Sequence, residues 1–305
     1  MHVVLVEPSG IGLKFLTKML QDRGDRVTQF TDGTCAMAYV EEDESVDVVM
    51  TSFETVSKSG LELCWDLRLL SQAGRPIYTI AMSSSYEHSK LIEALDCGAD
   101  DFIKKPPEVT ELHARLRAAE RQLLTQRELV RLANIDALTG MYNRRAFFEK
   151  SIALRSICGI DQKMAAIMFD IDHFKRVNDH FGHDVGDEAI RQVANIAQTA
   201  GMAISGGIAG RLGGEEFALI VRDCCKTDAH DVAESMRAQI EALRIDTAQE
   251  ILELTCSFGV SPWLQGDSID AVLKRADMAL YQAKNHGRNQ VVDFEALVDD
   301  RAEAS

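Results

Sequence analysis

No stretch of about 18 uncharged apolar residues occurs in the 305-residue chain, so no segment reads as a membrane-spanning helix. The chain has no excess of positive charge: 48 acidic residues face 33 basic ones, a formal net charge of −15. That balance excludes a basic platform for duplex nucleic acid. The seven cysteines are odd in number, only Cys224 and Cys225 adjoin, and none has CxxC spacing. Such usage points to reduced thiols and a cytoplasmic protein. The first residues, MHVVLVEPSG, lack the basic start of a leader and read as a buried strand. What remains is ordinary: 46% apolar residues can supply a core, and the length suits two domains.

The most informative stretch is GIAGRLGGEEFALIVR, residues 207–222. Its two ends read as strands. Gly213 and Gly214 between them form a turn without side chains, open to close approach by a ligand. Glu215 and Glu216 set carboxylates beside that bare backbone, an arrangement suited to a metal–phosphate ligand. A tight hairpin with two solvated acids would look the same in this window alone.

Upstream, residues 1–106 alternate short apolar runs with amphipathic stretches. His2–Val6, Arg26–Phe30, Val46–Thr51, Ile77–Met82 and Asp101–Lys104 read as strands; Ile11–Arg23 and Gly60–Ser71 read as helices. This predicts a flavodoxin-like, doubly wound parallel sheet, with its site at the carboxyl ends of the strands. Those ends carry Glu7, Ser52, Ser83 and Lys105. Asp47 and Glu54 nearby read as solvated acids. LVEPS, SGLELCWDLR and CGADDFIKKP fall at the spacings of response-regulator receiver domains, which the whole segment resembles. The resemblance puts Ser83 at the hydroxyl switch, Phe102 at the aromatic switch and Lys105 at the family's basic position. It also exposes two departures: Ser52 stands where receivers carry the phosphorylated aspartate, and Pro8 stands where they carry a second acid. An acyl phosphate needs a carboxylate, and magnesium needs more oxygen ligands than Glu7 supplies. The expectation is a receiver that takes no phosphate at the usual site and serves for dimerisation or docking of a protein partner.

Residues 107–135 run without glycine or proline after Pro107. Leu112, Leu116, Ala119, Leu123, Val130 and Ala133 step at coiled-coil intervals, with Gln126 interrupting. The same pattern suits an amphipathic helix packed on its own domain; the length favours a helical coiled-coil stalk joining two copies in a homodimer.

Residues 136–295 form the second predicted domain, and 296–305 a frayed tail. Asp136 can cap the turn that follows it, with Gly140 permitting a bend. KMAAIMFDID reads as a buried strand ending in acids. Asp170, inside the strand, is the better metal-ligand candidate, whereas Asp172 reads as the N-cap of the next helix. Asn178, His183 and Asp187 follow. Asn178 and Asp187 could hydrogen-bond a purine edge, since an aspartate accepts from N1–H and the exocyclic amine of guanine, which adenine does not offer; taken alone, these residues read more simply as polar caps around a Gly182 turn. Helices are expected over Asp187–Thr199, Ala229–Leu243 and Ile269–Asn285, and a strand over Leu252–Val260. Lys284 and Arg288, four apart near a helix end, can clamp phosphates, although cations also suit a helix C-terminus with no ligand present. Phe217 and Tyr281 read as core.

Together DALTGMYNRRAF, FDIDHFKRVND, FGHDVGDEAI, RLGGEEFALIV, LTCSFGVS and ADMALYQAKNHGRN resemble, in order and spacing, the GGDEF family of diguanylate cyclases. The resemblance implies an α+β, palm-like nucleotidyl cyclase domain. By motif position it implies that Asp170, Glu215 and the Ile171 carbonyl bind two Mg²⁺ or Mn²⁺ ions per site. It further implies that Asn178 and Asp187 read guanine, that Lys175, Lys284 and Arg288 hold the triphosphate, that Gly213 and Gly214 lie against the nucleotide, and that His183 and Phe174 belong to the same binding site. Glu216 fits the position that helps activate the 3′-hydroxyl. The implied reaction joins two GTP into cyclic di-GMP and two pyrophosphates by two-metal phosphoryl transfer across a homodimer. A catalytically silent adaptor that binds GTP or cyclic di-GMP is the alternative. The Arg-x-x-Asp product site of many members is replaced by Ile204 and Gly207, so strong product inhibition through it is not expected.

Overall fold

The computed structural model describes residues 1–84, 88–158, 163–203, 207–222, 226–247 and 250–295. Ile204, the Cys224–Cys225 pair and the expected tail 296–305 lie outside the described residues. The chain divides into two compact units, Met1–Arg131 and Leu132–Ser305.

The first unit runs β1 (His2–Val6), α1 (Gly10–Asp22), β2 (Arg26–Phe30), α2 (Gly33–Glu42), β3 (Val48–Ser52), α3 (Gly60–Gln72), β4 (Tyr78–Ser83), α4 (His88–Asp96), β5 (Asp101–Lys104) and α5 (Val109–Asn134). The strands form one parallel sheet in the order β2-β1-β3-β4-β5. Every residue of β1, β3 and β4 is buried, as expected of a sheet covered on both faces. Helix starts are set by local chemistry. Ser9 and Asp32 cap α1 and α2, and Ser59 with Glu62 forms a capping box on α3.

The helix expected as a stalk is present, but its leading apolar positions are used differently. Leu112, Leu116, Ala119 and Leu123 are buried in the core of the first unit with Leu5, Met50 and Ile80. They close one face of the sheet and are not a seam for a second copy; Leu124, Leu129 and Leu132 are the exposed leucines of α5. The spacing could not separate the two, because a helix on a sheet and a helix in a coiled coil show similar apolar periods. Asp47 is not a solvated acid either. It accepts from the His2 backbone N–H at 2.6 Å and pairs with Arg127.

The second unit begins with β6 (Tyr142–Asn143), α6 (Arg144–Ile157), β7 (Met164–Ile171), α7 (Phe174–Phe181), α8 (His183–Ala203), β8 (Ile208–Gly213) and β9 (Glu216–Arg222). It continues with α9 (Lys226–Glu241), β10 (Ile245–Asp246), β11 (Ile251–Leu252), β12 (Cys256–Pro262), α10 (Ile269–Asn285) and β13 (Val291–Asp293). The main sheet has the order β13-β12-β7-β9-β8-β6, with an antiparallel centre and parallel edges. Strand β7 is buried throughout and feeds both faces. Ala165, Ile167, Phe169 and Ile171 enter one core; Met164, Ala166 and Met168 enter the other. Phe169 stacks between Phe217 and Phe258, with ring centroids 5.1 and 4.9 Å away. Phe217 is core as expected, whereas Tyr281 is 63% exposed on α10.

Candidate active site

The apolar run of β7 carries Asp170 to the strand's last turn of pleat while keeping it 7% exposed. The antiparallel register sets Asp170 directly opposite Glu216 on one side and Ser257 on the other. Residues directly opposite share a face, so Asp170 and Glu216 stand together. Glu215 lies in the turn between β8 and β9, and its charge also acts on Asp170. Burial pushes the Asp170 carboxyl up, to about 6; Glu215 and Glu216 push the same way, and Lys284 only partly offsets them. Lys284, from the last turn of α10, reaches Asp170 Oδ2 at 2.9 Å.

The glycine turn is as bare as its sequence suggests. Gly214 has φ +50°, and a Cβ on either Gly213 or Gly214 would meet nothing within 4 Å. Arg211 holds this turn from behind. Its Nε donates to the Gly214 carbonyl at 2.9 Å and its Nη1 to Asp136 Oδ1 at 3.0 Å. Asp136 also accepts from the Thr139 N–H and hydroxyl, which fixes the turn expected there. Burial raises the Asp136 carboxyl, but the bonds from Thr139 and Arg211 outweigh it and the net shift is downward.

Asn178 on α7 lies hard against Gly186 on α8: a Cβ there would fall 2.0 Å from Asn178 Oδ1. That close approach sets Asn178 beside the first turns of α8, where His183 and Asp187 are exposed. Lys175 and Arg288 are exposed as well. Phe174 is 7% exposed and packs in the core of the second unit.

Asp172 is not a helix cap. The N-cap of α7 is His173, left-handed at φ +55° with no side-chain bond to the helix. Asp172 is a buried acceptor at the centre of the second unit. Its oxygens take bonds from Thr255 Oγ1 and Ser257 Oγ, both at 2.7 Å, and from the Asn289 backbone N–H at 3.1 Å. It thereby ties β12 to the loop after α10 that carries Arg288. Arg211 and Asn289 are the residues that local sequence reasoning missed. The only signal was position: Arg211 precedes the glycine pair by two, and Asn289 follows Gly287-Arg288.

These residues suit a hard divalent cation. Among the described residues no group of three His, Cys, Asp or Glu side chains could hold a metal by itself. Magnesium asks for less, taking one or two carboxylates and completing its shell with water and substrate phosphates. Asp170 and Glu215 supply two carboxylates, and the Lys284 ammonium already stands as a cation against Asp170. Ile171, whose carbonyl was expected to assist, is paired with Cys256 in the ladder beside Asp170.

In the first unit, Lys105 Nζ donates to Glu7 Oε2 at 2.9 Å and to Ser52 Oγ at 2.6 Å. Glu7 and Ser52 are both buried, as are Ser83 and Phe102. Phe102 stands edge-on to Phe53.

The family model for the diguanylate cyclase GGDEF domain matches residues 133–290, and that for the response regulator receiver domain matches residues 3–117. Among curated proteins, the response regulator PleD of Caulobacter vibrioides is 35% identical over 259 residues, covering 81% of this chain and 56% of PleD. The diguanylate cyclase VdcA of Vibrio cholerae is 43% identical over 163 residues, covering 52% of this chain and 47% of VdcA. The chain thus spans about half the length of these curated relatives. Among solved structures, the coiled coil and GGDEF domain of DgcB from Caulobacter crescentus, in complex with c-di-GMP, superposes with a TM-score of 0.53 at 32% identity. It covers 60% of this chain and 98% of that one. A receiver-like parallel sheet followed by a domain whose family match spans more than half the sequence makes this chain a member of the GGDEF family of diguanylate cyclases.

Proposed function

We propose that the chain condenses two GTP into cyclic di-GMP, releasing two pyrophosphates. The observation that carries this reading is the buried Asp170 with Glu215 and Glu216 around it and the open Gly213–Gly214 turn beside them. In each half-reaction the 3′-oxygen of one GTP attacks the α-phosphorus of the other. A new phosphorus–oxygen bond forms and the bond to pyrophosphate breaks. Magnesium or manganese, two ions per site, held by Asp170, Glu215 and the Ile171 carbonyl, would supply charge neutralisation at the phosphates. Glu216, opposite Asp170 across the ladder, accepts the hydroxyl proton. Asn178 and Asp187 read the guanine edge, with His183 beside them. Lys175, Lys284 and Arg288 hold the triphosphate, and Gly213–Gly214 let it approach the backbone. One domain holds one GTP, so two copies meet face to face in a homodimer.

The receiver-like unit is proposed to take no phosphate at Ser52, because a hydroxyl bonded to Lys105 replaces the carboxylate that phosphotransfer requires. Its remaining roles are dimerisation and docking of a protein partner. A small-molecule phosphodonor should leave no base-labile label on this unit.

The deciding experiment incubates the full chain with GTP and magnesium, beside Glu215→Ala, and identifies the products by mass. Cyclic di-GMP from the unsubstituted chain alone supports the cyclase. GTP binding without product from either, even after a cell extract is added, would support the silent adaptor instead.

A further inference from the structure

Arg288 projects from a backbone that is left-handed at three successive residues, Gly287, Arg288 and Asn289, with φ of 110, 64 and 47°. Arginine does not adopt that region by default, so contacts outside the loop must hold it there. One is the bond from the Arg288 N–H to the Ala283 carbonyl of α10, at 3.0 Å, and the others converge on the next residue, Asn289. Its backbone N–H donates to buried Asp172 at 3.1 Å. Its side-chain carbonyl accepts from Arg237 Nη1 on α9 at 2.8 Å, and its side-chain amide donates to Glu241 Oε1 at 2.8 Å. A cation on the carbonyl and a carboxylate on the amide fix the orientation of that group. Arg237 is itself locked by Glu234 and Glu241. Beyond its backbone bond to Ala283, Arg288 is unengaged: its guanidinium makes no hydrogen bond or ion pair among the described residues. A firmly held backbone beneath an unengaged guanidinium is suited to presenting that group to a ligand.

We propose that Asn289 is a positioning residue that aims Arg288 at the outer phosphates of the nucleotide, with Arg237 and Glu241 as its supports. The inference rests on reading Arg288 as a phosphate ligand. Asn289 touches no reacting atom; it acts through its neighbour. Its loss therefore weakens a triphosphate and spares a monophosphate, whereas general damage to the domain weakens both.

The test is calorimetric titration of the full chain with GMP and with a GTP analogue whose α–β bridge is a methylene. Arg288→Ala should bind the analogue about tenfold more weakly, with GMP unchanged. Asn289→Ala should lose about three- to fivefold for the analogue alone, and the double variant should be no weaker than Arg288→Ala. Asn289→Gly accepts the left-handed backbone without strain but lacks the amide, so it keeps the loss even if Asn289→Ala does not fold. An Arg288→Ala variant with unaltered analogue binding would remove the phosphate reading of Arg288, and the inference with it. A loss in Arg288→Ala with normal binding by both Asn289 variants overturns the inference alone. So do additive losses in the double variant, or a parallel loss of GMP.

Discussion

Adding one methyl group at Gly259 should loosen the second unit and the site together. Gly259 lies in β12 where α10 crosses the sheet. A Cβ there would fall 2.1 Å from the Ala276 carbonyl oxygen and 2.3 Å from the Leu280 nitrogen. Both obstacles are helix backbone, so no side chain can rotate away. Restoring an ordinary contact of about 3.5 Å requires α10 to shift outward by roughly 1.4 Å. Overpacking of this kind costs about 1–3 kcal/mol, and the rigid obstacles put Gly259→Ala near the upper end, at about 3 kcal/mol. For a unit of this size each kcal/mol lowers Tm by about 2–4 °C, giving a fall of roughly 6–12 °C. Lys284 lies one turn beyond Leu280 on the same helix, so its 2.9 Å contact with Asp170 should lengthen and GTP turnover should fall. Scanning calorimetry with both units resolved measures the first effect. Gly201→Ala in α8 is the control: among the described residues its Cβ meets only Ala209 Cβ of β8, at 3.5 Å, and alanine there should stabilise by about 0.5–1 kcal/mol. A Gly259→Ala protein that melts within about 2 °C of the parent would refute the reasoning.

Asp170→Asn and Glu215→Ala should each reduce cyclic di-GMP formation by on the order of a hundredfold or more, with far-ultraviolet circular dichroism unchanged. Gly186→Ala should push the Asn178 amide aside and raise KM for GTP by up to about tenfold, with weaker discrimination against ATP; steady-state kinetics on both nucleotides checks it. Arg211→Met releases the Gly214 carbonyl and Asp136 together, at about 1–2 kcal/mol of stability by denaturant titration. Asp136 titrates below its ordinary value in the fold, so its contribution is present above about pH 4 and fades as pH falls further; the difference between parent and Arg211→Met should narrow in acid. Lys105→Met leaves Glu7 buried without its cation and should cost about 3 kcal/mol, with Lys105→Met/Glu7→Gln recovering most of it.

Elements whose signal is local were legible. His2–Val6, Arg26–Phe30, Asp101–Lys104 and Ile269–Asn285 have the bounds their apolar patterns indicate. The strand expected over Leu252–Val260 was not one strand. Leu252 pairs with Ile245 in a small hairpin, and β12 starts at Cys256. Alternation alone cannot show that a run changes partners. Asp172 failed for a related reason: an acid before a helix looks like a cap, and its actual donors lie 83, 85 and 117 residues away. Leu112, Leu116, Ala119 and Leu123 failed as a seam because the surface that covers them is the chain's own sheet; Val130 and Ala133 of the same pattern are not part of that core.

The two units make the same contact to opposite effect. Lys105–Glu7 and Lys284–Asp170 are both 2.9 Å pairs with a nearly buried carboxylate. Around Lys105 the charges balance: one acid, one base, and the Ser52 hydroxyl taking a second ammonium bond. The half-buried Lys105 ammonium thus has two acceptors, and the buried Glu7 carboxylate has its counter-charge. Around Asp170 the charges do not balance: Glu215 and Glu216 act on it together, and the one lysine in contact with it is Lys284, beside the open glycine turn. Burial and like charge together hold the Asp170 carboxyl near 6, a state that further positive charge would relieve. The sequence shows the same asymmetry in its substitutions. Ser52 and Pro8 stand where the receiver pattern has acids, while the acids of the GGDEF pattern remain at Asp170, Glu215 and Glu216. Where the acids are absent the lysine is shared with a hydroxyl, and where they are present one lysine stands against more than one carboxylate.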